Sequence, residues 1–168
     1  MASLDDIRKV IWNEEFSGTD RTSDFILEQY KLYVEMADRI SERRGAANTF
    51  FLTFNTGLVS ALAAFYEHLQ AVPNAVSGAL YAAAIVLSLT WLALLRSYRN
   101  VNSAKFKVIG VMEERLAANP YWKAEWMALD EGKNWRTHIP FGKIEPAVPI
   151  VFAIIYVYLF FADLFAAG

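Results

Sequence analysis

GAANTFFLTFNTGLVSALAAFYE, residues 45–67, is too apolar for a surface helix and too polar for a plain lipid anchor. It holds no Lys or Arg, and it is about as long as the roughly 20 residues that cross a bilayer as a helix. Within it sit Asn48, Thr49, Thr53, Asn55, Thr56 and Ser60. At about 100° per residue, Thr49, Thr53, Thr56 and Ser60 fall in one narrow stripe, with Ala63 and Ala64 flanking its far end. Asn48 and Asn55, seven residues apart, stack on a neighbouring line. Hydrocarbon leaves side-chain amides unsatisfied, so this face must meet another helix or water. Small hydroxylated surfaces are what helices use to pack in membranes, at roughly 1 kcal/mol per interhelical hydrogen bond. Three outcomes are open. The leading one is a face that joins copies of the chain; the others are packing within one subunit and the lining of a pore.

Working outward, the residues about 48–68 are one of three apolar blocks, the others being 76–95 and 147–167, and none contains Lys or Arg. In a chain of 168 residues that is 55% hydrophobic, this uneven placement predicts an all-α membrane protein with three transmembrane helices. The basic residues orient it. Residues 1–45 carry seven, 96–143 carry nine, and the link LQAVPNA between the first two blocks carries none. The positive-inside rule then predicts a cytoplasmic N-terminus, an outer link, a large inner loop and a C-terminus outside. The opening MASLDDIRKVIWNEE has acids where a secretory signal needs a basic patch and an apolar core, so no signal peptide is expected there. The net charge of −2 gives no sign of a nucleic-acid partner. With no Cys, disulfides, thiolate metal sites and cysteine catalysis are excluded.

Residues 1–23 form an N-terminal section. Ser3 followed by Asp6 is a capping signal, and Leu4, Ile7 and Ile11 share a face, predicting a short amphipathic helix over 4–15 that packs on its own protein, the alternative being the membrane surface. SGTD, residues 17–20, breaks it. A second helix starts at the capping residues 22–24. Its apolar positions Ile26, Tyr30, Tyr33, Ala37 and Ile40 alternate steps of four and three, a heptad-like seam suited to holding copies together. No strong break follows, so 24–68 is expected to be one helix projecting about 30 Å beyond the first span, at about 1.5 Å per residue. VPN, residues 72–74, turns the chain. The section 69–119 holds the second span and continues through Tyr98, Val101, Val108, Met112 and Leu116 at helical spacing to about residue 118. The first two helices are thus expected to extend into the cytoplasm as a long helical hairpin. In 120–145, Asn119 and Pro120 open a short helix, PYWKAEWMAL, closing at Gly132, and KNWRTHIPFGKIEP connects to the third span, 146–168.

Ala75, Ala79 and Ala83, at intervals of four, offer the first span a surface for close approach. The third span is bulky and aromatic, suiting lipid, and Asp163 near its outer end is expected to reach the interface. Trp91, Tyr98, Trp122, Trp126 and Trp135, at or just beyond the inner boundary, read as an aromatic belt with some core packing. Arg43 and Arg44 before the first span, and Arg96, Arg99, Lys105 and Lys107 after the second, are expected to hold topology and touch anionic lipid headgroups; the sharper alternative is a basic collar for an anionic ligand.

Catalytic chemistry is not visible. His68 and His138 lie on opposite sides of the expected membrane, and no GxSxG, Walker loop, dinucleotide fingerprint or zinc pattern occurs. Glu113 and Glu114 point about 100° apart and read as solvated charges. We expect no enzyme, no catalytic residue, no metal and no cofactor.

The segments YKLYVEMADRISERRGAANTFFLTFNT, SYRNVNSAKFKVIGVMEERL, YWKAEW and IEPAVPIVFA resemble, in that order, the RipA-type family of octameric bacterial inner-membrane proteins, over about residues 28–160. The resemblance implies a cytoplasmic-membrane protein that forms a homo-octamer and supports bacterial fitness under host or pH stress. Small membrane effectors of bacterial defence systems are similar more loosely, since they too join two long helices to a sensor; no separate sensor domain is visible here. The expected function is a ring-like homo-oligomer acting as a channel-like or scaffolding assembly in envelope or stress homeostasis. The alternative is a ligand- or partner-gated effector with a basic cytoplasmic collar.

Overall fold

A computed structural model of the chain describes residues 3–13, 22–69, 71–128 and 144–166. Among the described residues the regular structure is helical: α1 (Leu4–Ile11), α2 (Thr22–Ala64), α3 (Tyr66–Leu69), α4 (Asn74–Glu113), a π-helical turn (Pro120–Glu125) running into α5 (Trp126–Ala128), and α6 (Ala147–Ala166). By internal contacts the chain divides into two compact units, residues 1–42 with 98–140 and residues 43–97 with 141–168. Both long helices contribute to each unit.

In the first unit, α1 begins with a full capping box. The Ser3 hydroxyl accepts from the Asp6 amide, and the Asp6 carboxylate accepts from the Ser3 amide. The helix ends at Ile11, short of the expected residue 15, and SGTD lies outside the described residues. Arg8 makes two hydrogen bonds to Glu114, at 2.5 and 3.1 Å, and the Arg115 guanidinium lies 3.7 Å over the Trp12 ring. The short helix is therefore tied to its own protein, and the Arg8 guanidinium holds the Glu114 carboxyl below the usual carboxylate range.

α4 ends at Glu113 rather than near residue 118, and the next turn folds back onto that end. Asn119 caps it as the sequence predicts, its side-chain oxygen accepting from the Lys123 amide at 3.1 Å. The Ala124 amide bonds the Asn119 carbonyl at 3.2 Å, an i→i+5 bond that widens the turn into π geometry. Trp122 then lies flat over Gly110, and only a glycine admits it. A Cβ at Gly110 would stand 2.6 to 2.8 Å from three atoms of the indole. Gly110→Ala is expected to cost about 1–2 kcal/mol by pushing the half-exposed Trp122 off α4. Limited proteolysis at Lys123 reads this directly, and cleavage no faster than in the wild type would refute the contact. Gly132, the expected closing residue, Trp135, His138 and the connector from 133 to 143 lie outside the described residues.

In the second unit, the apolar halves of α2 and α4 run antiparallel with α6 against both. Phe51 stacks on Trp91 at 5.7 Å, Phe152 approaches Trp91 at 6.2 Å, and Leu95 closes this cluster. Leu62, Tyr81, Ala84 and Tyr156 form the other. α2 stops at Ala64, a turn at Phe65 intervenes, and α3 resumes, so the expected single helix over 24–68 is interrupted one turn early. Two helices are long and apolar enough to cross a membrane, Asn74–Glu113 and Ala147–Phe165. Only 28% and 17% of their most apolar windows are buried within the chain, so most of that surface faces something outside it. A soluble core helix would be covered on nearly all sides.

Candidate functional site

The polar face of α2 separates into two lines with different fates. The asparagines turn inward. Asn55 is fully buried; its Nδ2 donates to the Phe51 carbonyl at 2.8 Å, and its Oδ1 accepts from the Tyr156 hydroxyl of α6 at 3.0 Å and the Ser88 hydroxyl of α4 at 3.3 Å. Asn48 accepts from the Trp91 indole N–H at 3.1 Å. The amides that hydrocarbon would leave unpaired are thus paired within one subunit.

The hydroxyl line stays outside. Thr49, Thr53, Thr56 and Ser60 are all exposed, as are Gly45, Gly57, Ala63 and Ala64 on the same side of the helix. A Cβ at Gly45 or Gly57 would meet nothing within 4 Å. The Ser60 hydroxyl donates a hydrogen bond to the Thr56 carbonyl at 2.9 Å, leaving its oxygen as an acceptor without exposing a donor. The result is a small-residue surface over residues 45–64, about 30 Å long at 1.5 Å per residue. Ala75, Ala79 and Ala83 of α4 do not cover it; they too are exposed. The buried side of α4 is instead Ser77, Tyr81, Ala84, Ser88, Trp91 and Leu95.

Three side chains are buried by partners distant in sequence, and for Asp163 and Glu113 this departs from the sequence expectation. Trp91 is 0% exposed and is the core-packed member of the aromatic group, with Phe51 stacked on its ring, Phe152 tilted against it and Asn48 taking its N–H. Asp163 does not reach out to the interface: it is buried and accepts the Ser77 hydroxyl at 2.5 Å. Glu113 is 1% exposed and not solvated. It accepts from the Tyr30 hydroxyl at 2.9 Å and from the Tyr121 and Trp122 amides at 3.1 and 2.9 Å. Its carboxylate thereby supplies the first amides of the folded-back turn with an acceptor, as a capping side chain does from the preceding turn in an ordinary helix. Burial, and then the bond to Glu113, push the Tyr30 phenol well above its ordinary range. The Asn119–Pro120 helix start was the available sequence signal for a turn needing such an acceptor.

The heptad-like seam packs in part within the chain. Ala37 is buried, Ile26, Tyr30, Tyr33 and Ile40 are half-buried, Tyr30 bonds Glu113, and the Lys105 ammonium sits 4.4 Å over the Tyr33 ring. The six basic residues divide between the two units, Arg43, Arg44 and Arg96 in the second and Arg99, Lys105 and Lys107 in the first. Arg44 stands 3.7 Å from Glu145, Lys105 is committed to Tyr33, Lys107 is half-buried, and Arg43, Arg96 and Arg99 are exposed. Among the described residues no group of His, Cys, Asp and Glu is disposed to hold a metal ion.

Among the described residues, two long helices with outward-facing apolar surface, and buried amides and hydroxyls matched to one another between helices, form the pattern of a helical membrane protein. The chain belongs to the octameric membrane protein family (8xMP), whose model matches residues 27–165. Self-association goes with that membership. No curated protein and no solved structure matches the chain.

Proposed function

We propose that the chain crosses a bacterial inner membrane three times, with a cytoplasmic N-terminus and an outer C-terminus, and assembles into a ring-like homo-octamer that acts as a channel-like or scaffolding assembly in envelope or stress homeostasis. The third crossing comes from the apolar half of α2. It is bound to α4 and α6 through Asn48, Asn55 and Phe51, so a bilayer that takes those two helices takes it as well. Helix Asn74–Glu113 and its neighbours would then form the long hairpin on the inner side. Arg96 and Arg99, exposed after the second span in a run from 96 to 112 with no acid, support contact with anionic headgroups. We read the protein as non-enzymatic, because no nucleophile and base pair can be named in its sequence.

The observation that carries this reading is the exposed hydroxylated face of α2. A cyclic ring joins two different surfaces of each subunit, head to tail. The chain presents two small-residue lines outward, Thr49–Thr53–Thr56–Ser60 on α2 and Ala75–Ala79–Ala83 on α4. Each suits the close approach that membrane helices use in place of a hydrophobic driving force. In the ring, the α2 line of one copy meets the α4 line of the next.

The test is the mass of the purified detergent complex by native mass spectrometry. The wild type is expected to contain eight copies, and Thr53→Leu with Thr56→Leu to shift most of it to smaller species. Asn55→Leu, which alters the inward line, is expected to lower thermal stability by about 1–2 kcal/mol while leaving the copy number unchanged. A Thr53/Thr56 variant that retains eight copies would remove this face from the interface.

A further inference from the structure

The charged half of α2 carries a second apolar seam that the chain leaves open. Phe25, Leu32 and Met36 are 54%, 60% and 50% exposed, and with Gln29 between them they follow steps of four, three and four. This seam lies about 100° round the helix from the one packed on α4. Lipid does not account for it, because Glu28, Lys31, Glu35 and Arg39 run along its edge as in-helix pairs, Lys31–Glu28 at 2.8 Å and Arg39–Glu35 at 2.7 Å. An apolar seam edged by charges of alternating sign is the pattern of a helix that packs on another helix in water. Beside it a groove of about 290 Å³ opens between Gln29, Leu32 and Tyr33 of α2, Val108 and Met112 of α4, and Ile11 of α1.

We propose that this surface is a second contact between copies of the chain: a neighbouring subunit covers the Phe25–Leu32–Met36 seam and places an apolar side chain in the adjoining groove. The inference rests on the assembly reading above and extends it from the apolar half of α2 to the charged half. A second copy is the fitting occupant because the family is octameric, the mixed-sign edge can pair with charges of both signs on a different face of the next copy, and on the reading above α2 presents a face for self-association further along.

The chain has no Cys, so single-Cys variants report cleanly. Maleimide labelling is measured on the purified full-length complex for Leu32→Cys and for Asp38→Cys, an exposed position away from the seam. In the intact complex Leu32→Cys is expected to react at least tenfold more slowly than Asp38→Cys, and at a similar rate once the complex is dissociated to monomers. Leu32→Lys with Met36→Lys should lower the copy number without loss of helical circular dichroism. Equal labelling of both sites in an intact oligomer would overturn this contact and leave the membrane face standing. A wild type that is monomeric in native mass spectrometry would overturn both.

Discussion

Glu113→Ala is expected to release the turn that follows α4. Removing the carboxylate leaves the Tyr121 and Trp122 amides and the Tyr30 hydroxyl without their acceptor, in a place that is 1% exposed at Glu113 itself. Each orphaned polar group costs about 1–3 kcal/mol where water cannot replace the partner. The turn is partly exposed, so water recovers some of this, and a net loss of about 2–4 kcal/mol follows. Amide hydrogen exchange is the direct readout: Tyr121 and Trp122 should exchange at least roughly 30-fold faster, the equivalent of about 2 kcal/mol in local opening. Glu113→Gln keeps one acceptor oxygen and should fall between the two. Unchanged exchange at both amides in Glu113→Ala would show that the carboxylate does not hold this turn.

Trp91→Ala has the largest expected effect in the other unit. The indole is fully buried, stacked at 5.7 Å on Phe51 and tilted against Phe152 at 6.2 Å, with Leu87, Leu95 and Val148 around the same cluster. Truncating a buried Trp costs about 3–5 kcal/mol in soluble cores, mostly as lost packing and a cavity. Lipid removes much of the solvation part but not the lost contacts, so about 3 kcal/mol is expected here. In a protein of this size that corresponds to a fall in Tm of roughly 6–12 °C in detergent. Trp91→Phe retains the stacking and loses the bond to Asn48, and should cost about 1 kcal/mol. A Tm for Trp91→Ala equal to that of Trp91→Phe would mean that the cluster carries little of the packing.

Both effects arise from long-range partners. Tyr30 and Glu113 are separated by 83 residues, and Asn55 and Tyr156 by 101. Helical periodicity groups residues that share a face of one helix, but it does not say which neighbour that face meets. For this reason the two polar lines of α2 were visible as lines and indistinguishable in role. The asparagines and the threonines looked like one polar surface until α4 and α6 covered only the first. The same limit applies to the charged half of α2, where the Ile26–Tyr30–Tyr33–Ala37–Ile40 seam and the Phe25–Leu32–Met36 seam are both heptad-like, and packing against α4 takes the former.

By itself the sequence determined the helical class, the two helices apolar enough for a membrane, the capping box at Ser3, the helix start at Asn119 and the resemblance to an octameric membrane family. All of these are local in chain or compositional, set by runs of apolar residues, by the spacing of side chains on one helix and by the few residue types that satisfy a helix end. Only the tertiary structure decided that Glu113 and Asp163 are buried, that Trp91 is core, and that the hydroxyl line of α2 and the alanine line of α4 remain uncovered. A carboxylate is solvated or buried according to whether other elements bring it donors, and here those come from Tyr30, from Ser77 and from a turn folded back onto α4.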